Sequence, residues 1–423
     1  MQEKRSNFSS KVGFVLAAAG SAVGLGNIWR FPYLAAKYGG GSFLLVYLIL
    51  AVTFGFTLMI AEIAIGRRTG LSTIGAFEAL DRRFGFLGVL ASLVPIIIFP
   101  YYSVIGGWVC KYLAVFASGG VTAAADDNYF TGFISQTGSP LLWFCVFLGV
   151  TAVVVTFGVE KGIEKVSKLM MPVLVVLTLF IAIYTCTIDG AGEGVIYYLK
   201  PNLADFSLKT VLAAMGQMFY SMSLAMGIMV TYGSYMKKEN ALEGCVRQIE
   251  IFDTGIAFLA GLMIVPAVFA FSGGDKSALG AGPGLMFITL PKVFNSMKLG
   301  GLIGTAFFVM VLFAALTSAI SLMETIVSII MDKFHIRRLT ACIITTVMSL
   351  IMGVPSSLGF GLLSGISFNG MTVLDIMDFV SNSVLMPIVA ILTCVFVGFI
   401  IKPKTVADEV KETIGTIHLP FFP

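Results

Sequence analysis

Ten apolar runs, each long enough to cross about 30 Å of hydrocarbon, follow one another along the chain. They lie near residues 12–36, 42–66, 86–117, 140–157, 166–186, 208–235, 242–271, 299–330, 339–355 and 371–401. Two of them are interrupted by residues that do not belong on a lipid-facing helix. The first run carries Ala18-Ala19-Gly20-Ser21-Ala22-Val23-Gly24-Leu25-Gly26-Asn27-Ile28-Trp29-Arg30-Phe31-Pro32, with three glycines, an asparagine and an arginine at membrane depth. The sixth carries Gln217-Met218-Phe219-Tyr220-Ser221-Met222-Ser223-Leu224-Ala225-Met226-Gly227. An opened turn in hydrocarbon costs several kcal/mol per unpaired backbone group unless something polar fills it. Runs one and six hold equivalent places in two sets of five, and five is odd, so the second set enters from the opposite face. Interrupted helices at matched places in inverted halves point to a midplane binding site. The pattern predicts an all-α polytopic membrane protein with a 5+5 inverted-repeat transporter fold and unwound helices one and six. Its halves would be residues 1–188 and 206–401, followed by a cytoplasmic tail at 402–423.

Composition agrees with the pattern. Of 423 residues, 57% are hydrophobic and 12% charged, with mean hydropathy +0.96; soluble domains hold roughly 25% charged residues. The net charge of +4 is small and scattered and suggests no nucleic-acid partner. Most Lys and Arg residues fall in alternate loops, among them Lys11, Arg67, Arg68, Arg82, Arg83, Lys161, Lys165, Lys237, Lys238 and Arg337. The positive-inside rule then puts both termini in the cytoplasm, and Met1–Ser10 leads into the first span without the form of a cleavable leader. The segment near 272–298 is too apolar for disorder and reads as a re-entrant hairpin or a lid on the outer face. The ending His418-Leu419-Pro420-Phe421-Phe422-Pro423 resembles the approach to a further span. The six cysteines lack paired spacing and read as free thiols. The sequence carries no HExxH motif, catalytic triad or His/Cys metal cluster, which argues against an enzyme.

The interrupted runs carry motifs of a known family. The first break, Gly39-Gly40-Gly41-Ser42-Phe43, Pro100-Tyr101-Tyr102, Gly216-Gln217-Met218-Phe219, Ala314-Ala315-Leu316-Thr317-Ser318 and Asp375-Ile376-Met377-Asp378-Phe379 resemble the sodium:neurotransmitter symporter family, in particular its bacterial amino-acid transporters. The resemblance implies two sodium sites. One falls on Ala22, Asn27, Ser221 and Asp253, together with the substrate carboxylate. The other falls on Gly20, Val23, Ala314, Thr317 and Ser318, an all-oxygen set suited to a hard cation. A buried carboxylate at Asp253 costs at least about 2.5–3.5 kcal/mol and calls for a cation or a proton. Many relatives hold a neutral Asn there and place chloride between that position, a tyrosine (Tyr47 here), Gln217 and Ser221. Asp253 is therefore expected to supply the negative charge itself and to make transport chloride-independent.

For the substrate, the resemblance implies Ser21, Ala22, Leu25, Gly26, Ile98, Tyr102, Tyr220, Ser221, Ser223, Met226, Ser318 and Leu322. Amides of Leu25 and Gly26 with the Tyr102 hydroxyl would hold a carboxylate, and carbonyls near Ala22, Tyr220 and Ser221 an amine. Gly24 stands where monoamine carriers have Asp, which favours an α-amino acid. Met226 stands where an aliphatic-selective relative has Phe, which favours a larger hydrophobic or aromatic one. Arg30 with Asp378 resembles an outer gate, and Arg5 with Asp332 an inner one; Glu62 is expected to bond opened backbone of span six. The expected function is sodium-coupled import of a hydrophobic L-amino acid across a bacterial cytoplasmic membrane, with the lipid bilayer its surroundings and no obligate protein partner. A proton-coupled carrier of the same fold and an ion channel are the alternatives.

Overall fold

The computed structural model describes residues 7–202, 206–275 and 282–412. Among these the chain is helical, and its strand-like pairing is limited to isolated bridges at Gly40–Pro201 and Phe368–Met371. Eight continuous apolar helices are long enough to span: Gly41–Thr69, Arg82–Ala117, Gly138–Thr156, Val159–Cys186, Leu242–Ser272, Gly300–Phe334, Arg338–Leu358 and Val373–Ile400. A ninth span is the bent pair Lys11–Ala22 and Gly26–Lys37, which turns through 51° at its break. The remaining one, span six, consists of Leu208–Ser221 and the short Ile228–Gly233, with six non-helical residues between them. The fold class is thus the 5+5 transporter architecture that the hydropathy pattern predicts.

Burial ranks the spans. The apolar window of Gly300–Phe334 is 78% buried and that of Leu242–Ser272 is 61%, against 28% for Val373–Ile400. The first two therefore form the centre, and the last lies at the periphery, where lipid replaces protein as its apolar surroundings. Span eight packs against spans three, five and one, while span seven packs against spans one, two and five. Both broken helices are held within this frame.

One boundary differs from the sequence reading. Span five begins at Val159, not near 166, because a wide helical turn at Val159–Glu164 extends it. Glu164 is buried there because donors meet it: Ser9 N at 2.7 Å, Ser9 Oγ at 2.5 Å, Ser10 Oγ at 3.1 Å and Lys168 Nζ at 2.6 Å. The segment after span seven forms the short helical pieces Leu285–Thr289 and Leu290–Ser296, the latter packed on spans seven and eight. Phe287 stacks on Phe130 at 5.0 Å, meets Trp108 edge-on at 5.9 Å, and gives its carbonyl to Tyr112 at 2.8 Å. After span ten, the helix Pro403–Lys411 is pinned by Arg67, whose Nε donates to Glu409 at 2.7 Å and whose Nη1 donates to Asn240 O at 2.8 Å. The ending His418–Pro423 lies outside the described residues.

Candidate functional site: two opened helices around one cavity

The first helix stops at Ala22, and Val23 takes an extended ψ of 99°. Asn27 closes the break locally, its Oδ1 accepting from Gly24 N at 3.0 Å while its own N–H donates to Gly24 O at 3.2 Å. In span six the opened stretch is left-handed at three places, with φ of 53° at Ser223, 60° at Ala225 and 73° at Gly227. Such angles in non-glycine residues cost of order 1–3 kcal/mol each and persist only when neighbours over-determine them. The neighbours are identifiable. Glu62 Oε1 accepts from Ala225 N at 2.8 Å, as the sequence leads one to expect, and Thr73 Oγ1 donates to Gly227 O at 2.9 Å. Ser223 Oγ donates to Ser21 O at 3.0 Å, tying one break to the other.

Between the breaks lies a small cavity of about 30 Å3, more than the space one water needs. All twelve residues expected to contact substrate line it, and Gly24, Asn27 and Ile228 complete the wall. Ile228 was not anticipated, because nothing marks the first residue after an opened stretch as pocket-facing. The glycines are there for room. A Cβ on Gly24 would stand 2.6 Å from Ser318 Oγ and 3.2 Å from Tyr102 Oη, and one on Gly26 would stand 2.6 Å from the Tyr220 ring.

Two oxygen-rich clusters flank the cavity. In the first, Asn27 Nδ2 donates to Asp253 Oδ1 at 2.7 Å and Ser221 Oγ at 2.9 Å. Ser221 Oγ donates to the same Oδ1 at 2.7 Å, and Tyr47 Oη donates to Oδ2 at 3.1 Å. Gln217 Nε2 donates to Gly26 O at 2.9 Å, and its Oε1 has no hydrogen-bond partner among the described residues. Asp253 is fully buried; its cluster is rich in lone pairs, and no cationic side chain pairs with it among the described residues. In the second, Ser318 Oγ lies 3.3 Å from Gly20 O, 3.0 Å from Ser21 O and 3.3 Å from Val23 O. A hydroxyl has one proton to give, so three carbonyls around it leave an excess of acceptors that a hard cation would satisfy. Thr317 packs against Gly20, but its Oγ1 bonds back along its own helix to Phe313 O at 2.9 Å and Ala314 O at 3.2 Å.

No ion pair within 4.0 Å joins Arg30 and Asp378 among the described residues. Arg30 lies over the Tyr220 ring at 5.2 Å, where the π face offers its own attraction for a cation. Asp378 is engaged by Tyr101 Oη at 3.0 Å and Asn382 Nδ2 at 2.6 Å. Neither partner was anticipated; the signal available in the sequence was the i,i+4 spacing of Asp378 and Asn382. At the other end Asp332 Oδ2 accepts from Ser72 N at 2.8 Å, and Arg5 lies outside the described residues.

Comparison with known proteins places this arrangement. The model of the sodium:neurotransmitter symporter family matches residues 5–123 and 128–423. An uncharacterized sodium-dependent transporter, YhdH, of Bacillus subtilis is 36% identical over 97% of this chain and 91% of its own length. The human sodium- and chloride-dependent GABA transporter 2 is 26% identical over 97% of this chain and 76% of its own length. Among solved structures, MhsT in complex with L-phenylalanine superposes with a TM-score of 0.88 at 39% identity, covering 96% of this chain and 93% of that one. The chain belongs to the sodium:neurotransmitter symporter family.

Proposed function

We propose that this transporter couples sodium to the import of a hydrophobic, aromatic-sized L-amino acid, independently of chloride and by alternating access. The observation that carries the reading is one cavity enclosed by both opened helices, with Asn27 and Ser221 shared between its wall and the Asp253 cluster. Leu25 N donates to Tyr102 Oη at 3.4 Å; a substrate carboxylate displacing this contact would meet an amide, a hydroxyl and the N-terminal end of the second half-helix. That carboxylate would also complete the sodium site made by Ala22, Asn27, Ser221 and Asp253, making ion and substrate stabilise each other reciprocally. A second sodium would use Gly20, Val23, Ala314, Thr317 and Ser318. The L-phenylalanine held by MhsT supports an amino acid of this size, and the flexible Met226 suits a large apolar side chain. Asp253 carries the charge for which other members recruit chloride. Spans one, two, six and seven would rock against the rest, in a bacterial cytoplasmic membrane with the N-terminus inside and halves at 1–188 and 206–401.

A proton-coupled carrier is the competing reading, and a specific feature favours it. Glu62 and Glu250 are buried, and each has an oxygen without a hydrogen-bond partner among the described residues. Uptake of labelled L-phenylalanine into proteoliposomes separates the two. The proposal expects accumulation driven by an inward sodium gradient with chloride replaced by gluconate on both sides. Accumulation driven by a proton gradient alone would refute it in favour of the rival, and passive ohmic current would point to a channel.

A further inference from the structure

The geometry points to Asn382 as a positioning residue of the outer gate, holding Asp378 away from Arg30 and so setting how readily the gate closes over substrate. This rests on the transport reading above. Asp378 ends a regular helical turn, and the next seven residues, Phe379–Leu385, form a wider helical turn. Asn382 sits inside that wider turn. Its Nδ2 reaches Asp378 Oδ1 at 2.6 Å and Tyr101 Oη at 3.2 Å, while Tyr101 Oη donates to the same Oδ1 at 3.0 Å. The three groups close a triangle between spans three and ten. Both donors fall on Oδ1, and the Oδ2 of this exposed residue faces no protein donor among the described residues. Asn382 Oδ1 is also buried and unpartnered.

Across the cavity mouth, Arg30 has no carboxylate within 4.0 Å among the described residues and lies over the Tyr220 ring. Two donors therefore hold the acidic half of the gate, and an aromatic ring the basic half. Closing the gate requires the guanidinium to draw the carboxylate out of the cradle that an amide and a phenol form on its other oxygen. A charged acceptor gains more from each donor than a neutral one, so removing the Asn382 amide releases Asp378 towards Arg30. The Oδ2 of Asp378 and Oδ1 of Asn382 are the acceptors that an arriving guanidinium, with five donors in a planar fork, would find.

The test is dissociation of labelled L-phenylalanine from the purified full chain in sodium, after dilution into excess unlabelled L-phenylalanine. Asn382→Ala is expected to slow dissociation roughly tenfold, the scale of one hydrogen bond to a charged group. Tyr101→Phe, which removes the other donor, should slow it in the same direction. In an Arg30→Gln background, Asn382→Ala should have no further effect, because the competitor is gone. General loosening of the packing would speed dissociation with or without Arg30. Unchanged or faster dissociation in Asn382→Ala, or slowing that persists in Arg30→Gln, overturns the inference. Absence of sodium-dependent amino-acid binding by the unaltered chain would instead overturn the transport reading, and this inference with it.

Discussion

Replacing Asp253 by asparagine removes one negative charge from the midplane and keeps the side chain's shape. In the structure, Asp253 Oδ1 takes two donors at 2.7 Å, from Asn27 and Ser221, and Oδ2 takes Tyr47 at 3.1 Å. An amide can accept on one side only, so the Tyr47 hydroxyl facing the N–H2 group would accept from it and have its own proton free for another acceptor. A carboxylate and a cation about 4 Å apart attract by about 4 kcal/mol at an effective dielectric of 20. Part of that is offset, because an amide is cheaper to bury than a carboxylate. The net expectation is a rise of roughly tenfold to a hundredfold in the sodium concentration for half-maximal uptake, a change of about 1.4–2.8 kcal/mol. Chloride should restore most of the loss: Tyr47, Ser221 and Gln217 would then surround an anion in place of the missing charge. The assay is sodium-driven uptake of labelled L-phenylalanine at graded sodium, in chloride and in gluconate. Unaltered sodium dependence of Asp253→Asn in gluconate would refute the reasoning, as would a loss that chloride does not repair.

Three further changes test other parts of the site. Met226→Phe puts a rigid ring into the cavity wall and should weaken competition by tryptophan and tyrosine more than by leucine; equal effects in a competition panel would refute the size argument. Gly24→Ala places a Cβ 2.6 Å from Ser318 Oγ, and overpacking of about 1–3 kcal/mol should cost roughly tenfold or more in equilibrium binding of L-phenylalanine; unchanged affinity would show that the wall yields. Glu62→Ala strips the acceptor from Ala225 N and should lower stability by about 1–3 kcal/mol. Glu62→Gln keeps an acceptor and should lose less, so equal Tm shifts in detergent would count against the role given to Glu62.

The spans were legible because crossing a membrane constrains length and composition together, and a run of the right length leaves little choice of structure. The first break was legible for the opposite reason: Gly24, Gly26, Asn27 and Arg30 contradict the run that contains them. The left-handed turns at Ser223 and Ala225 were not, since neither residue is a glycine, and their backbone is held by Glu62 and Ser21 from distant parts of the chain. The early start of span five was hidden for the same reason, because the partners that let Glu164 be buried include Ser9, 155 positions away. The outer gate shows the remaining limit. Opposite charges at a cavity mouth suggest a pair, but whether they meet depends on competitors such as Tyr101, Asn382 and the Tyr220 ring, and competition is a property of three-dimensional distance.

The distribution of the two oxygen clusters carries a consequence for coupling. Asn27, Tyr47, Ser221 and Asp253 come from spans one, two, six and seven, the four proposed to move as one body, so their contacts survive a rocking motion intact. The second cluster joins Gly20, Ser21 and Val23 of span one to Ser318 of span eight, across the seam between that body and the rest. A cation in the first cluster can report that substrate is present, because a substrate carboxylate would share it. A cation in the second resists separation of span one from span eight, because leaving would expose three carbonyls held by a single hydroxyl proton. The first ion would then select the cargo, and the second would time the opening.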